Sequence, residues 1–265
     1  MAGKLIYVSY ASGRFEANLQ VNARYARWLG GAERCILLTR RDLEASRIYA
    51  PHRDVFDAPR GAGYWAWKPW AILRAMDAAG PEDVIYYHDC GFGLRYKTFL
   101  RLRRLVALAR EHGFVAGVAC PQYGPNRIWN RRQCRELMGV GGRADIAAAP
   151  SIQATWSLWS NTPAARAFVE RWLAYCLQFD AIRDASPAEC AQEDEGFVEH
   201  RHDQAILTNL TLREGGFFVE PMEQTLDFAK SAAFLELDLR AREGGFYRLV
   251  YRLLLGLVTR RRAGR

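Results

Sequence analysis

No stretch of this 265-residue chain approaches the roughly 20 consecutive apolar residues that a bilayer span requires. The opening MAGKLIYVSYASG holds only a short apolar run before turn residues, so it has neither the hydrophobic region nor the cleavage pattern of a secretory signal. The six cysteines (Cys35, Cys90, Cys120, Cys134, Cys176, Cys190) form no CxxC pair and show no zinc-type spacing. Reduced thiols in a cytoplasmic protein, soluble or peripheral to a membrane, are the expectation. There is no G-x-x-x-x-G-K-[ST] loop, no G-x-G-x-x-G after the first strand, no G-x-S-x-G elbow and no H-E-x-x-H pair. Nucleotide triphosphatase, Rossmann dehydrogenase, α/β-hydrolase and zincin chemistries are correspondingly disfavoured.

Half of the residues are hydrophobic, enough at this length to bury the core of one large domain. The net charge of +8 is unevenly placed. Residues 240–265 hold eight arginines against one acid, so residues 1–239 carry a net charge of only +1. A near-neutral body argues against a phosphate-tracking groove, and no nucleic-acid partner is expected.

Strands are predicted at Lys4–Tyr10, Cys35–Thr39, Val84–His88 and Phe114–Ala119, with a further one at Ala154–Leu158, from β-branched and aromatic runs closed by turn residues. Helices are predicted at Phe15–Leu29, Pro69–Ala79, Thr98–Glu111 and His202–Leu210, and another from Thr162-Pro163, with Thr162 as its cap. Alternation of this kind is the mark of a mostly parallel α/β sheet flanked by helices in a single domain. Pro121–Arg132 reads as a polar loop, and the acidic, turn-rich segment Asp180–Glu199 as a surface loop or lid.

Three segments carry candidate chemistry. Asp89 follows the apolar strand VIYYH, where a carboxylate can hold a divalent cation or accept hydrogen bonds from a sugar; the neighbouring Gly91 and Gly93 would let a ligand approach the backbone. Otherwise Asp89 is an ordinary turn residue. In RGAGYWAWKPW (60–70), Gly61 and Gly63 allow a tight loop and Trp65 and Trp67 offer flat faces to a base or sugar, or else anchor the core, while Lys68 is a cation suited to a phosphate. The densest polar cluster is His200-Arg201-His202-Asp203-Gln204. There Asp203 could serve as a helix cap, which would leave Gln204 and the histidines unexplained. Trp156 and Trp159 either line an acceptor pocket or pack, and Arg127, Arg131 and Arg132 either grip an anion or form a solvated loop.

VIYYHDCG resembles the strand and D-x-D motif of GT-A glycosyltransferases, with Asp89 at the first aspartate and Gly91 in place of the second. The ordered set W-x-W-K-P, Asp-x-Gly and H-R-H-D-Q over residues 60–210 resembles bacterial polysaccharide-associated glycosyltransferase-like proteins. HDQAILTNL is similar to the D-Q-D-x-L-N segment of glycogenin-type retaining transferases, with Ala205 replacing the third acid. These resemblances imply a GT-A-like (Rossmann-like) fold over residues 1–243 and hexosyl transfer, with retention or inversion left open, from a nucleotide-sugar donor to a hydroxyl of a surface glycan or lipid-linked saccharide such as lipopolysaccharide or capsule. They imply catalytic roles for Asp89, Asp203, Gln204 and His202, and donor contacts from Lys68, Trp65, Trp67, Gly91, His88, Arg201 and His200. A cation, Mn or Mg, would sit on Asp89. The alternative is a non-catalytic carbohydrate- or membrane-binding module on the same fold. Residues 244–265 pair an apolar helical face (Phe246, Leu249, Val250, Leu253, Leu254, Leu257) with flanking arginines, a pattern expected to hold the chain at an anionic membrane surface.

Overall fold

The computed structural model describes residues 3–28, 30–90, 96–118, 123–215 and 218–221. Gly91, Gly93 and the basic tail 244–265 lie outside the described residues.

Six strands, β1 (Leu5–Ala11), β2 (Arg34–Thr39), β3 (Val84–His88), β4 (Phe114–Val118), β5 (Ile152–Ser160) and β6 (Phe218–Pro221), form one sheet in the order β2-β1-β3-β5-β4-β6. β1 runs parallel to both β2 and β3, and β4 runs parallel to β6. β5 is antiparallel to both of its neighbours, so one reversed strand sits among five that share a direction. The mostly parallel, helix-flanked α/β sheet expected from the alternation is therefore the architecture observed.

The strands are near-continuous apolar runs because both faces of the sheet are covered. On one face Val8, Tyr10, Ile85 and Tyr87 pack with helices Trp67–Asp77, Pro163–Cys176 and His202–Glu214. On the other, Tyr7, Val84 and Tyr86 meet Val21 and Tyr25 of helix Glu16–Trp28 and Leu102 and Leu105 of helix Tyr96–His112. Thr162 caps its helix as expected, its hydroxyl accepting from the Ala165 N–H at 3.2 Å.

Several expectations need correction. The helix expected from Pro69 begins at Trp67 and ends at Asp77, β5 is longer at both ends than Ala154–Leu158, and the helix from His202 continues to Glu214. Trp156 and Trp159 are fully buried core residues, which leaves neither exposed to an acceptor. The polar loop before Arg132 contains the short helix Asn126–Trp129 and a buried amide cluster, in which Asn126 and Asn130 donate to Asn209 Oδ1 at 3.2 and 2.7 Å.

The acidic segment is also no free lid. It contains helices Phe179–Ile182 and Pro187–Cys190, buries Ala181 and Ile182, and is pinned by arginines from elsewhere in the chain. Arg131, 0% exposed, donates to the Asp180 and Arg183 carbonyls at 3.3 and 3.2 Å and to Glu189 at 2.8 Å. Arg132 and Arg135 both pair with Asp194. Arg131 thus grips the chain's own acids in place of the anion or solvent expected from the sequence, whereas Arg132 stays exposed at the surface while pairing with Asp194.

Candidate functional site

β2 lies on one side of β1 and β3 on the other, so the strand order reverses between β1 and β3, where open α/β sheets bind ligands beyond the carboxyl ends of their strands. A cavity of about 580 Å³ opens there. Its floor is the ends of β1 (Tyr10, Ala11) and β3 (Asp89, Cys90), and its walls come from Arg14, Phe15 and the turn carrying Gly61, Ala62, Trp65 and Trp67. That volume falls within the usual range for a small-molecule site.

Beneath the cavity the three predicted segments meet. Lys68 Nζ lies 3.2 Å from Asp89 Oδ2, 3.3 Å from Asp203 Oδ2 and 3.3 Å from the Ala154 carbonyl. Tyr87, two residues before Asp89 on the same face of the sheet, donates its hydroxyl to Asp89 Oδ1 at 2.5 Å. Lys68 and Asp203 are 4% and 2% exposed, whereas the Asp89 side chain keeps 13% of its surface open at the cavity floor. Burial raises the Asp89 carboxyl, an effect that Lys68 and Tyr87 oppose. Burial, reinforced by the charge of Asp89, pushes Asp203 up to about 7 against the pull of Lys68. For Lys68, burial acts to lower its affinity for a proton, but the two carboxylates outweigh it and keep the ammonium charged.

The wall at residues 61–65 is a left-handed turn, with φ of 60°, 51°, 102°, 51° and 58° along Gly61, Ala62, Gly63, Tyr64 and Trp65. A left-handed L-residue costs about 1–2 kcal/mol. Among the described residues, those with positive φ other than glycine are Ala62, Tyr64, Trp65 and His202, so the strain is confined to one place. Stacking offsets it. Tyr64 lies on the His202 ring at 4.9 Å, Trp65 is 5.5 Å from the same ring, and Trp67 stacks on Tyr10 at 4.2 Å while donating its Nε1–H to the Gly61 carbonyl. At the start of the turn Arg60 pairs with Asp184 and Glu199 of the acidic segment.

The other predicted residues are placed differently. His200 accepts the Arg131 N–H at Nδ1 and donates from Nε2 to the Ala181 carbonyl, which fixes one neutral tautomer; burial, then His202, holds its pKa well below the usual value. His202 donates from Nδ1 to the Ile182 carbonyl at 2.7 Å, and burial lowers it to about 4. His88 ends β3, is 1% exposed and bonds through Nδ1 to the Asp89 carbonyl. Arg201 lies over the Trp129 ring and pairs with Glu199 at the surface. Gln204 is half-buried in the first turn of helix His202–Glu214, and its amide makes no hydrogen bond among the described residues. Sequence reasoning missed Tyr10, Arg14 and Tyr87. Strand alternation back from Asp89 could have found Tyr87, and the carboxyl end of β1 could have found Tyr10.

The cation expected at Asp89 does not fit the described residues. Both carboxylate oxygens of Asp89 are engaged, and the second carboxylate, Asp203, faces the same ammonium. Among the described residues no group of three or more His, Cys, Asp or Glu side chains is placed to hold a metal ion. Likewise, none of the described helices is long and apolar enough to cross a membrane.

Geometry thus gives a cavity at the switch point of an α/β sheet, with a buried ion cluster under an aromatic wall. The sequence matches no protein-family profile and no curated protein. Among solved structures it is similar in fold to apo mouse xyloside xylosyltransferase 1, at 11% identity over 82% of this chain and 84% of that one, with a TM-score of 0.41. At that identity and score the likeness assigns nothing to this chain.

Proposed function

We propose that this chain is a glycosyltransferase with a GT-A-like fold, moving a sugar from a nucleotide-activated donor to a hydroxyl of a surface glycan or lipid-linked saccharide. The observation that carries the reading is the meeting of three segments, W-x-W-K-P, Asp-x-Gly and H-D-Q, around the Lys68 ammonium directly below the switch-point cavity. Those are the segments whose resemblance to glycosyltransferases was independent of any structure.

Catalysis of this kind is mostly positioning and electrostatics. Asp89, open to the cavity, orients the donor, held in one rotamer by Tyr87 and Lys68. Trp65 and Trp67 form the wall on which a base or sugar ring lies. Gln204, with its amide uncommitted among the described residues, contacts the donor sugar beside Asp203. His202 supports the wall through its stack on Tyr64, and His200 anchors the adjoining segment. The basic tail 244–265 brings the chain to an anionic membrane surface on the cytoplasmic side, where a lipid-linked acceptor would lie.

The test is incubation of the full chain with a panel of uridine-, guanosine- and cytidine-activated sugars, following release of free nucleotide by chromatography. Sugar-dependent release from at least one donor, abolished by Asp89→Asn, supports the reading. Saturable binding with no release from any donor replaces it with the non-catalytic binding module.

A further inference from the structure

We infer that Lys68 occupies the position a divalent cation would take at Asp89, so that the site binds an anionic ligand without metal, with Arg14 as the cation that meets the ligand. The inference rests on the nucleotide-sugar reading above for the identity of the ligand.

An ammonium has three N–H donors and no acceptor. Lys68 Nζ donates to Asp89 Oδ2 at 3.2 Å and to the Ala154 carbonyl at 3.3 Å, and Asp203 Oδ2 lies 3.3 Å away as an ion-pair partner, so the ammonium is held by three of the protein's own oxygens and buried from a phosphate in the cavity. This arrangement is a cation site whose occupant is covalently part of the chain. Its oxygens come from the residue that follows β3, from the reversed strand β5 and from the first turn of helix His202–Glu214. A divalent ion on Asp89 would sit about 2.0–2.6 Å from a carboxylate oxygen. There it would face a buried like charge that water does not screen, and it would share a carboxylate already bonded to the Tyr87 hydroxyl and to Lys68.

With Lys68 committed, the charge that meets the ligand must come from the cavity wall. Among the described residues lining the cavity Arg14 is the basic one, and it makes no ion pair among the described residues. It lies just past the end of β1, in the middle of the short helical turn Gly13–Phe15, with its guanidinium 4.9 Å from the Phe15 ring centroid. A planar fork of donors there suits a diphosphate, which Arg can meet with paired hydrogen bonds.

The experiment measures binding of uridine and guanosine diphosphate to the full chain by calorimetry, once in excess chelator and once in Mn²⁺, with Mn²⁺ alone titrated separately and followed by electron paramagnetic resonance. Dissociation constants that agree within about twofold between the two conditions are expected, together with a loss of at least about tenfold in Arg14→Gln at an unchanged unfolding temperature. A Mn²⁺ site on the wild-type chain that disappears in Asp89→Asn overturns the assignment of Lys68, as does diphosphate binding tightened tenfold or more by Mn²⁺. Normal binding by Arg14→Gln overturns the assignment of Arg14. If neither diphosphate binds in either condition, the donor reading and the role of Arg14 fall together, and the Mn²⁺ titration on the protein alone still decides for or against Lys68.

Discussion

The Lys68 ammonium lies 3.3 Å from Asp203 Oδ2, joining the start of helix Trp67–Asp77 to the first turn of helix His202–Glu214 beneath the cavity. Two carboxylates and one ammonium share that buried space, so one acid is poised to hold a proton near neutral pH.

Asp203→Asn should make this visible in stability. The Asp203 carboxyl is raised from 3.8 to about 7, so the unfolded chain releases its proton near pH 4 and the folded chain near pH 7. Its contribution to stability is full below pH 4 and is lost as pH rises through 7. The unfolding free energy of Asp203→Asn minus that of the wild type should therefore climb between pH 4 and 7, by up to about 1.4 kcal/mol per pH unit, and level off above. His200 and His202, both lowered, slope the other way in both proteins and largely cancel in the difference. Urea denaturation across this range reads the result, and a flat difference would contradict a buried, protonated Asp203.

Asp89→Asn should fold normally yet lose at least about tenfold in turnover, roughly 1.4 kcal/mol in the barrier. The change is nearly isosteric and removes the charge at the cavity floor. Unaltered turnover with a confirmed donor would remove Asp89 from the machinery.

The left-handed turn separates two neighbouring substitutions. Ala62 has φ 51° and ψ 50°, so Ala62→Gly should stabilise by about 0.5–1 kcal/mol, glycine paying no steric cost there. Gly61→Ala should destabilise by about 1–3 kcal/mol, because a Cβ would lie 2.5 Å from the Trp65 ring. Thermal unfolding distinguishes them by sign, and equal effects would argue that the turn is not strained.

Arg131→Met should cost about 1–3 kcal/mol, since it leaves the Asp180 and Arg183 carbonyls without their buried donor, whereas the half-buried Glu189 keeps its pair with Arg183. Hydrogen exchange should rise first at residues 180–194, where that arginine is anchored. A loss spread evenly over the sheet would show that Arg131 does not act through this segment.

Much of the sheet is legible from the chain alone. Val84–His88 reads as a buried strand because apolar residues fill both of its faces, and the bounds agree with the structure. β5 is harder, since Ser157 and Ser160 look like solvent-facing breaks but are buried, with Ser160 donating to the Ala109 carbonyl and Ser157 accepting from Trp159. Composition misjudges Asp180–Glu199 because its neutralising arginines, Arg60, Arg131, Arg132 and Arg135, lie far away in sequence. In the site, Asp89 and Lys68 are identifiable as charged residues in apolar surroundings and Asp203 as part of a dense polar cluster, but sequence spacing carries no sign that they bind one another. The turn at 61–65 is half legible. Gly61 and Gly63 announce a tight bend, whereas the left-handed backbone of Tyr64 and Trp65 depends on a histidine ring delivered by a distant helix.

The strand order also governs how the protein can be assembled during synthesis. β1, β2 and β3 pair among themselves as soon as they have emerged from the ribosome, but β4 pairs only with β5 and β6, both made later. Until β5 inserts between β3 and β4, each of those strands presents an apolar edge with no neighbour, and the carbonyl of Ala154 and the carboxylate of Asp203 are not yet there to receive Lys68. A nascent chain paused before β5 is therefore the species most exposed to pairing with the wrong partner, and the interval that ends with helix His202–Glu214 is when a chaperone holding the open edge of β3 would matter most.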